Sequence, residues 1–194
     1  MHPIDGFLRK NRLEFVGRVA TGRSANIFLV KNSRGKRFAL KLEKEKSTRV
    51  DMVKKEAENL ELANSVGVGP KFVAFDVEKR IVLWEFVEGV TFDKWLFETN
   101  VSKEKLCKLI IELLKQGEKM DEIGLDHGQL AGVGKNIIVR KNKPVIIDFE
   151  KGSQARKAHN VGSLRSFLFL NPHSSISKRV KGILGRSWED FTEH

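Results

Sequence analysis

Residues 121–153 read DEIGLDHGQLAGVGKNIIVRKNKPVIIDFEKGS, a stretch that sets polar, metal-capable side chains at the ends of two short apolar runs. The runs are Ile137-Ile138-Val139 and Val145-Ile146-Ile147, and the polar, Pro-containing segment Lys141-Asn142-Lys143-Pro144 between them predicts a β-hairpin. Asn136 stands just before the first run and Asp148 just after the second. Antiparallel pairing places the two side by side, so an amide oxygen and a carboxylate can share a cation that takes oxygen ligands, such as magnesium. Upstream, His127-Gly128-Gln129-Leu130 lies on a loop leaving a helix.

These residues resemble the protein-kinase-like superfamily, whose catalytic loop reads H-x-D-L-x-x-x-N and whose metal motif reads D-F-G. The match is carried by His127, Leu130, Asn136 and Asp148-Phe149-Glu150. Its Ile-Asp-Phe-Glu form is closer to the small-molecule (aminoglycoside and choline) kinases and the small archaeal kinases than to eukaryotic signalling kinases. Gln129 stands where the family carries its catalytic Asp, and residues 131–135 hold a two-residue insertion before Asn136. The resemblance implies an α+β, bilobal kinase-like fold, with a small N-lobe of antiparallel sheet plus one helix and a reduced, mostly helical C-lobe. It implies ATP and Mg2+ as cofactors, Asn136 and Asp148 as metal ligands, and phosphoryl transfer to a hydroxyl. Gln129 can accept a hydrogen bond but takes no proton at neutral pH. Asp126 is therefore a second candidate for handling the acceptor, its alternative role being a salt-bridged loop aspartate. His127 reads as a structural residue bonding backbone near the metal loop.

Working back towards the N-terminus, 13–17, 27–30 and 37–42 alternate as strands, with Asn32-Ser33-Arg34-Gly35 as the turn between the last two. The loop 18–26 nearly fits a P-loop, but it opens a strand rather than a helix. On the resemblance it is the kinase glycine-rich loop, with Gly22 and Ala25 nearest the phosphates; an ordinary hairpin loop is the other reading. Lys41, in Phe38-Ala39-Leu40-Lys41, matches the phosphate-binding lysine of the third strand, and burying Leu40 and Leu42 turns it to the opposite face. A helix over 48–64 carries Val53, Ala57 and Leu60 as its apolar stripe, flanked by Glu56 and Glu61 while Glu58 points away. Lys54-Lys55-Glu56-Ala57 through Leu60 resembles the K/R-x-E-A-x-x-L pattern of the RIO-type kinases, and a Lys41–Glu56 ion pair follows from it. Strands over 71–77 and 80–86 come next, the second resembling the kinase hinge, where backbone around Glu85 to Val87 holds adenine.

Gly89 is the expected lobe boundary, giving an N-lobe of 1–88 and a C-lobe of 89–194. Residues 91–96 open the second lobe as a helix, and Ser102 caps a long one reaching 123 with Leu106, Leu109, Ile110, Leu113 and Leu114 on one stripe. One more apolar helix is expected over 160–170, a break at Asn171-Pro172-His173-Ser174, and a basic amphipathic helix over 177–184. Lys178, Arg179, Lys181 and Arg186 there could meet nucleic acid, against the simpler reading of a solvated charged face.

Composition sets the outer bounds. At 194 residues, 40% hydrophobic and 31% charged, the chain suits one good core or two small ones. No run reaches a membrane span and Met1-His2-Pro3-Ile4-Asp5-Gly6 lacks a signal-peptide core, so the expectation is a cytoplasmic protein without a membrane partner. The single cysteine, Cys107, excludes an internal disulfide. A net charge of +11 favours polyanions, nucleotide or nucleic acid alike. The function classes that remain are an ATP-dependent kinase, acting on a protein or a small molecule, a nucleotide-binding pseudokinase, and a basic RNA-associated scaffold.

Overall fold

The computed structural model describes residues 4–44, 52–132, 134–185 and 188. Five strands, β1 (Leu13–Thr21), β2 (Ala25–Asn32), β3 (Arg37–Glu43), β4 (Phe72–Asp76) and β5 (Ile81–Glu85), form an antiparallel sheet in the order β1-β2-β3-β5-β4. β3 is therefore central, which holds Lys41 between Ile27 and Val82 on rigid backbone. Phe28, Val30, Phe38, Leu40, Ile81 and Leu83 pack one face of the sheet against Ile4, Phe7 and Leu8. The latter two belong to α1 (Asp5–Lys10), a short helix. The opposite face carries α2 (Met52–Ser65), whose buried side includes Val53, Ala57 and Leu60 as the helical period predicts. The predicted helical start at 48–51 lies outside the described residues.

Two boundaries differ from the sequence expectation. β1 runs on to Thr21 rather than stopping at Gly17, because two register shifts, between Phe15 and Gly17 and between Arg18 and Ala20, absorb extra residues and break the alternation. The loop to β2 is thus only Gly22-Arg23-Ser24. In the later hairpin the turn is Lys141-Asn142 alone, both at positive φ (50° and 61°), and Lys143-Pro144 already belong to the strand. Pro144 is tolerated there because the strand is an edge, and its carbonyl instead accepts from Gln116 Nε2 at 2.8 Å.

The second half of the chain is mostly helical, as the resemblance implies. A small sheet of β6 (Val90–Thr91), β7 (Ile137–Arg140) and β8 (Lys143–Ile146) packs with α3 (Phe92–Glu98) and α4 (Lys103–Glu122). Ser102 caps α4, its hydroxyl accepting from the Lys105 N–H. Leu106, Leu109, Ile110 and Leu113 on α4 are fully buried, each contributing roughly 1.5–3 kcal/mol of hydrophobic stabilisation. α5 (Asn160–Arg165) continues into a π-helical turn, Ser166–Leu170, and α6 (Ser175–Leu184) exposes Lys178, Arg179 and Lys181; Arg186 lies outside the described residues.

The hydrophobic clusters do not divide at Gly89. Leu60, Ala63 and Val68 belong to the same cluster as the α4 stripe and Phe149, so α2 docks on the C-terminal half while its Glu56 reaches the sheet. Gly89 itself marks a close backbone approach: a Cβ there would overlap the Val139 carbonyl and the Ile138 side chain.

Candidate active site

Lys41 is buried in the sheet face under α2, and its Nζ lies 2.7 Å from Glu56 Oε2, 3.1 Å from Glu150 Oε2 and 3.2 Å from Asp148 Oδ1. The expected Lys41–Glu56 ion pair is present, and Glu61 and Glu58 on the same helix are exposed. Burial favours the neutral amine, but the three carboxylates outweigh it and hold Lys41 charged above the ordinary lysine range. Glu56 is pushed up to about 7, first by burial and further by Asp148 and Glu150, with Lys41 opposing. Glu43, two residues along β3 on the same face, is also buried and raised by desolvation, which Lys41 and Arg80 partly offset.

α2 grips the metal-motif loop one turn further on. Asn59 Nδ2 donates to the Phe149 carbonyl at 3.1 Å, and Phe149 is fully buried. Phe149 fills the space beside Leu60 and Gly69, where a Cβ on that glycine would meet its ring. Asp148 adopts φ +67°, a conformation that turns the chain sharply after β8 and delivers its carboxylate to Lys41.

The Ile147 N–H donates to the Asn136 carbonyl at 2.9 Å, so the hairpin register sets Asn136 opposite Ile147, with Asp148 one residue further on rather than directly beside it. His127 lies inside the protein, its Nε2–H donating to the Ile147 carbonyl at 3.0 Å and its ring edge-on to Phe149. Burial keeps the His127 pKa below the usual imidazole value. The loop is held from beneath by Asn160, whose side chain accepts from the His127 N–H and donates to Asp121 and to the Leu125 carbonyl. Asp121 in turn accepts from the N–H groups of Asn160 and Val161 at the start of α5.

Asp126 pairs with Arg156, Oδ2 to Nε at 2.7 Å, and its backbone bridges to Ser153. Gln129 is half-buried with Oε1 unpartnered among the described residues, and it borders a cavity of about 420 Å³ that Asn136 and Lys135 also line. In the first hairpin the Gly22 N–H donates to the Ala25 carbonyl at 2.8 Å, so a phosphate contact from that amide requires this bond to open. At the end of β5, Phe86 N–H bonds to Arg37 and Glu85 N–H to Lys71, which turns the Glu85 peptide groups away from β3; the Glu85 side chain pairs with Lys36. Val87 follows just beyond the strand and is half-buried.

Four participants escaped the sequence reading. Glu150 occupies the glycine position of the D-F-G motif, and a charged residue there was the available signal. Glu43 shares Lys41's strand face, and Asn59 interrupts an apolar stripe one turn beyond Glu56, each a local anomaly. Asn160, 33 residues from His127, has no local signature at all.

Comparison with known proteins gives two findings. A family model described as the RIO domain matches residues 24–167, more than half of the chain and all of the residues around Lys41. An uncharacterized protein of Methanocaldococcus jannaschii, MJ1211, is 27% identical over 85 residues, covering 44% of this chain and 71% of that protein.

Proposed function

The chain belongs to the RIO-domain family, an atypical protein-kinase-like family of ATP-binding phosphotransferases, and on that footing we propose that it transfers the ATP γ-phosphoryl group to a hydroxyl, a protein serine or threonine being the favoured acceptor. The observation that carries this reading is the convergence of Lys41, Glu56, Asp148 and Glu150 from β3, α2 and the loop after β8 onto one point.

In this reading Lys41 donates to the nucleotide phosphates and Glu56 positions it. Gly22 and Ala25 cover the phosphates, and backbone of Glu85 and Val87 receives adenine. Asp148 and Asn136 would hold Mg2+, which when bound neutralises charge on the phosphates. The donor set suits that ion: magnesium takes one or two carboxylates and completes its shell with phosphate oxygens and water. Among the described residues no group of three or more His, Cys, Asp or Glu is placed to hold a metal by itself. On the acceptor side, Gln129 accepts a hydrogen bond from the incoming hydroxyl, and Asp126, tied to Arg156, anchors the loop or takes the proton once released. Positioning and charge neutralisation supply most of the rate. The proposed setting is the cytoplasm; among the described residues no helix is long and apolar enough to cross a membrane.

The test is transfer of labelled phosphate from ATP with Mg2+ to the protein itself or to a generic protein acceptor. Asp148→Ala should abolish it, and transfer that survives the change removes the metal assignment. Gln129 in the catalytic position favours a second reading, a nucleotide-binding regulatory module. There ATP with Mg2+ raises the melting temperature and no turnover is seen.

A further inference from the structure

An ammonium group has three N–H donors. Lys41 Nζ hydrogen-bonds Glu150 at 3.1 Å and Asp148 at 3.2 Å and is ion-paired with Glu56 at 2.7 Å, so three carboxylates crowd the ammonium and a phosphate oxygen held by Lys41 must displace one of them. Glu56 is the least able to leave: it makes the shortest contact, sits inside α2, and its side chain is 3% exposed. Asp148 is one-third exposed at the cleft and has another partner once a cation arrives. Glu150 is 12% exposed, comes from irregular backbone rather than a helix, and among the described residues has its ion pair with Lys41. Its carboxylate therefore holds a place at the Lys41 ammonium that a phosphate oxygen would contest. Glu43 adds a fourth buried carboxylate to the same pocket, with Oε1 unpartnered among the described residues.

Resting on the kinase reading above, we propose that Glu150 is a specificity gate: it competes with the nucleotide phosphates for Lys41 and so admits the nucleotide only with its divalent cation. A metal-free triphosphate meets a pocket in which carboxylates outnumber the one ammonium, and repulsion keeps it out. A metal-loaded nucleotide brings the positive charge that draws Asp148 from Lys41 and offsets Glu150. The overall charge of +11 does not alter this, because the carboxylates sit at contact distance while the basic excess is spread over the chain.

The experiment measures ATP affinity by calorimetry in Mg2+ and in EDTA, for wild type, Glu150→Gln and Glu150→Asp, with melting temperatures to confirm folding. Wild type should bind ATP at least about tenfold more weakly in EDTA. Glu150→Gln should cut that ratio to roughly threefold or less, chiefly by tightening metal-free binding, while Glu150→Asp, which keeps the charge, retains the wild-type ratio. Equal wild-type affinity in the two buffers overturns the gate whatever the variants do. So does a Glu150→Gln ratio equal to wild type, or one that changes only because Mg2+-bound affinity falls, which would make Glu150 a metal ligand. Wild type that binds ATP in neither buffer overturns the kinase reading and the gate together.

Discussion

Asn59 Nδ2 donates to the Phe149 carbonyl 90 residues away in sequence, so the helix that pairs with Lys41 through Glu56 also holds the loop after β8. The two contacts leave α2 one turn apart, which couples the sheet to the C-terminal half through a single rigid element. Removing one contact should therefore be felt at the other. Asn59→Ala removes one of the two hydrogen bonds to the Phe149 carbonyl, which keeps the Gly152 N–H, and should cost about 0.5–1.5 kcal/mol in denaturant unfolding. It should also weaken ATP binding, and an unchanged nucleotide affinity in a folded variant would separate the loop from the site.

Lys41 is the cation that keeps three carboxylates together. Lys41→Met leaves Glu56 buried without its partner, for which the expected loss is roughly 3–5 kcal/mol and no nucleotide binding. Adding Glu56→Gln should recover part of the stability but none of the binding. A double variant no more stable than Lys41→Met would mean that the ion pair is not what the buried carboxylate requires.

His127 supplies a pH signature. Its pKa is lowered by burial, so the folded protein keeps the ring neutral and the unfolded chain takes the proton first. Its contribution to stability is full above the ordinary imidazole value of 6.5 and is lost as pH falls below it. Glu56, raised from 4.5 to about 7, acts in the opposite direction and gains as pH falls, so wild type should be compared with His127→Leu, which shares Glu56. The stability gap between the two should narrow between about pH 7.5 and about pH 5.5. A constant gap would show that His127 is not held neutral.

Asn160 ties α4, the loop that follows it and α5 into one network through His127, Asp121 and Leu125. Asn160→Leu keeps the branching at Cγ but strands the His127 N–H and the Leu125 carbonyl, with an expected loss of about 2–4 kcal/mol. Because the loop carrying Gln129 and Asn136 is released with it, phosphoryl transfer should fall further than global unfolding explains, measured well below the variant's melting temperature.

Gly89→Ala tests the junction between the halves. Its Cβ would press on the Val139 carbonyl, and relieving that overlap requires β6 to move off β7 at roughly 1–3 kcal/mol. An unperturbed melting temperature would show that this crossing has slack.

Much of the candidate site was legible because its signals are local. Asn136 and Asp148 flank two apolar runs whose pairing sets both at one end of the hairpin, Lys41 alternates against two leucines, and Glu56 sits beside an apolar helical stripe. The same local rules misjudged β1, since bulges change the period within the strand, and placed the hairpin turn two residues too long, since Pro144 reads as a breaker until an edge and Gln116 accommodate it. The division at Gly89 is legible as a change of pattern, yet the buried cluster crosses it.

Periodicity and ordered motifs along the chain were thus enough for the α+β class, the element order and the positions of Lys41, Glu56, Asn136 and Asp148. Distances between segments far apart in sequence required the folded coordinates: Glu150 against Lys41, Asn59 against Phe149, Asn160 beneath His127, and Asp126 in the grip of Arg156. Local backbone preference acts over a few residues and leaves its mark in the string of letters. Which carboxylate reaches a given ammonium depends on how whole elements pack, and packing is settled by the sum of many weak contacts that no short stretch contains.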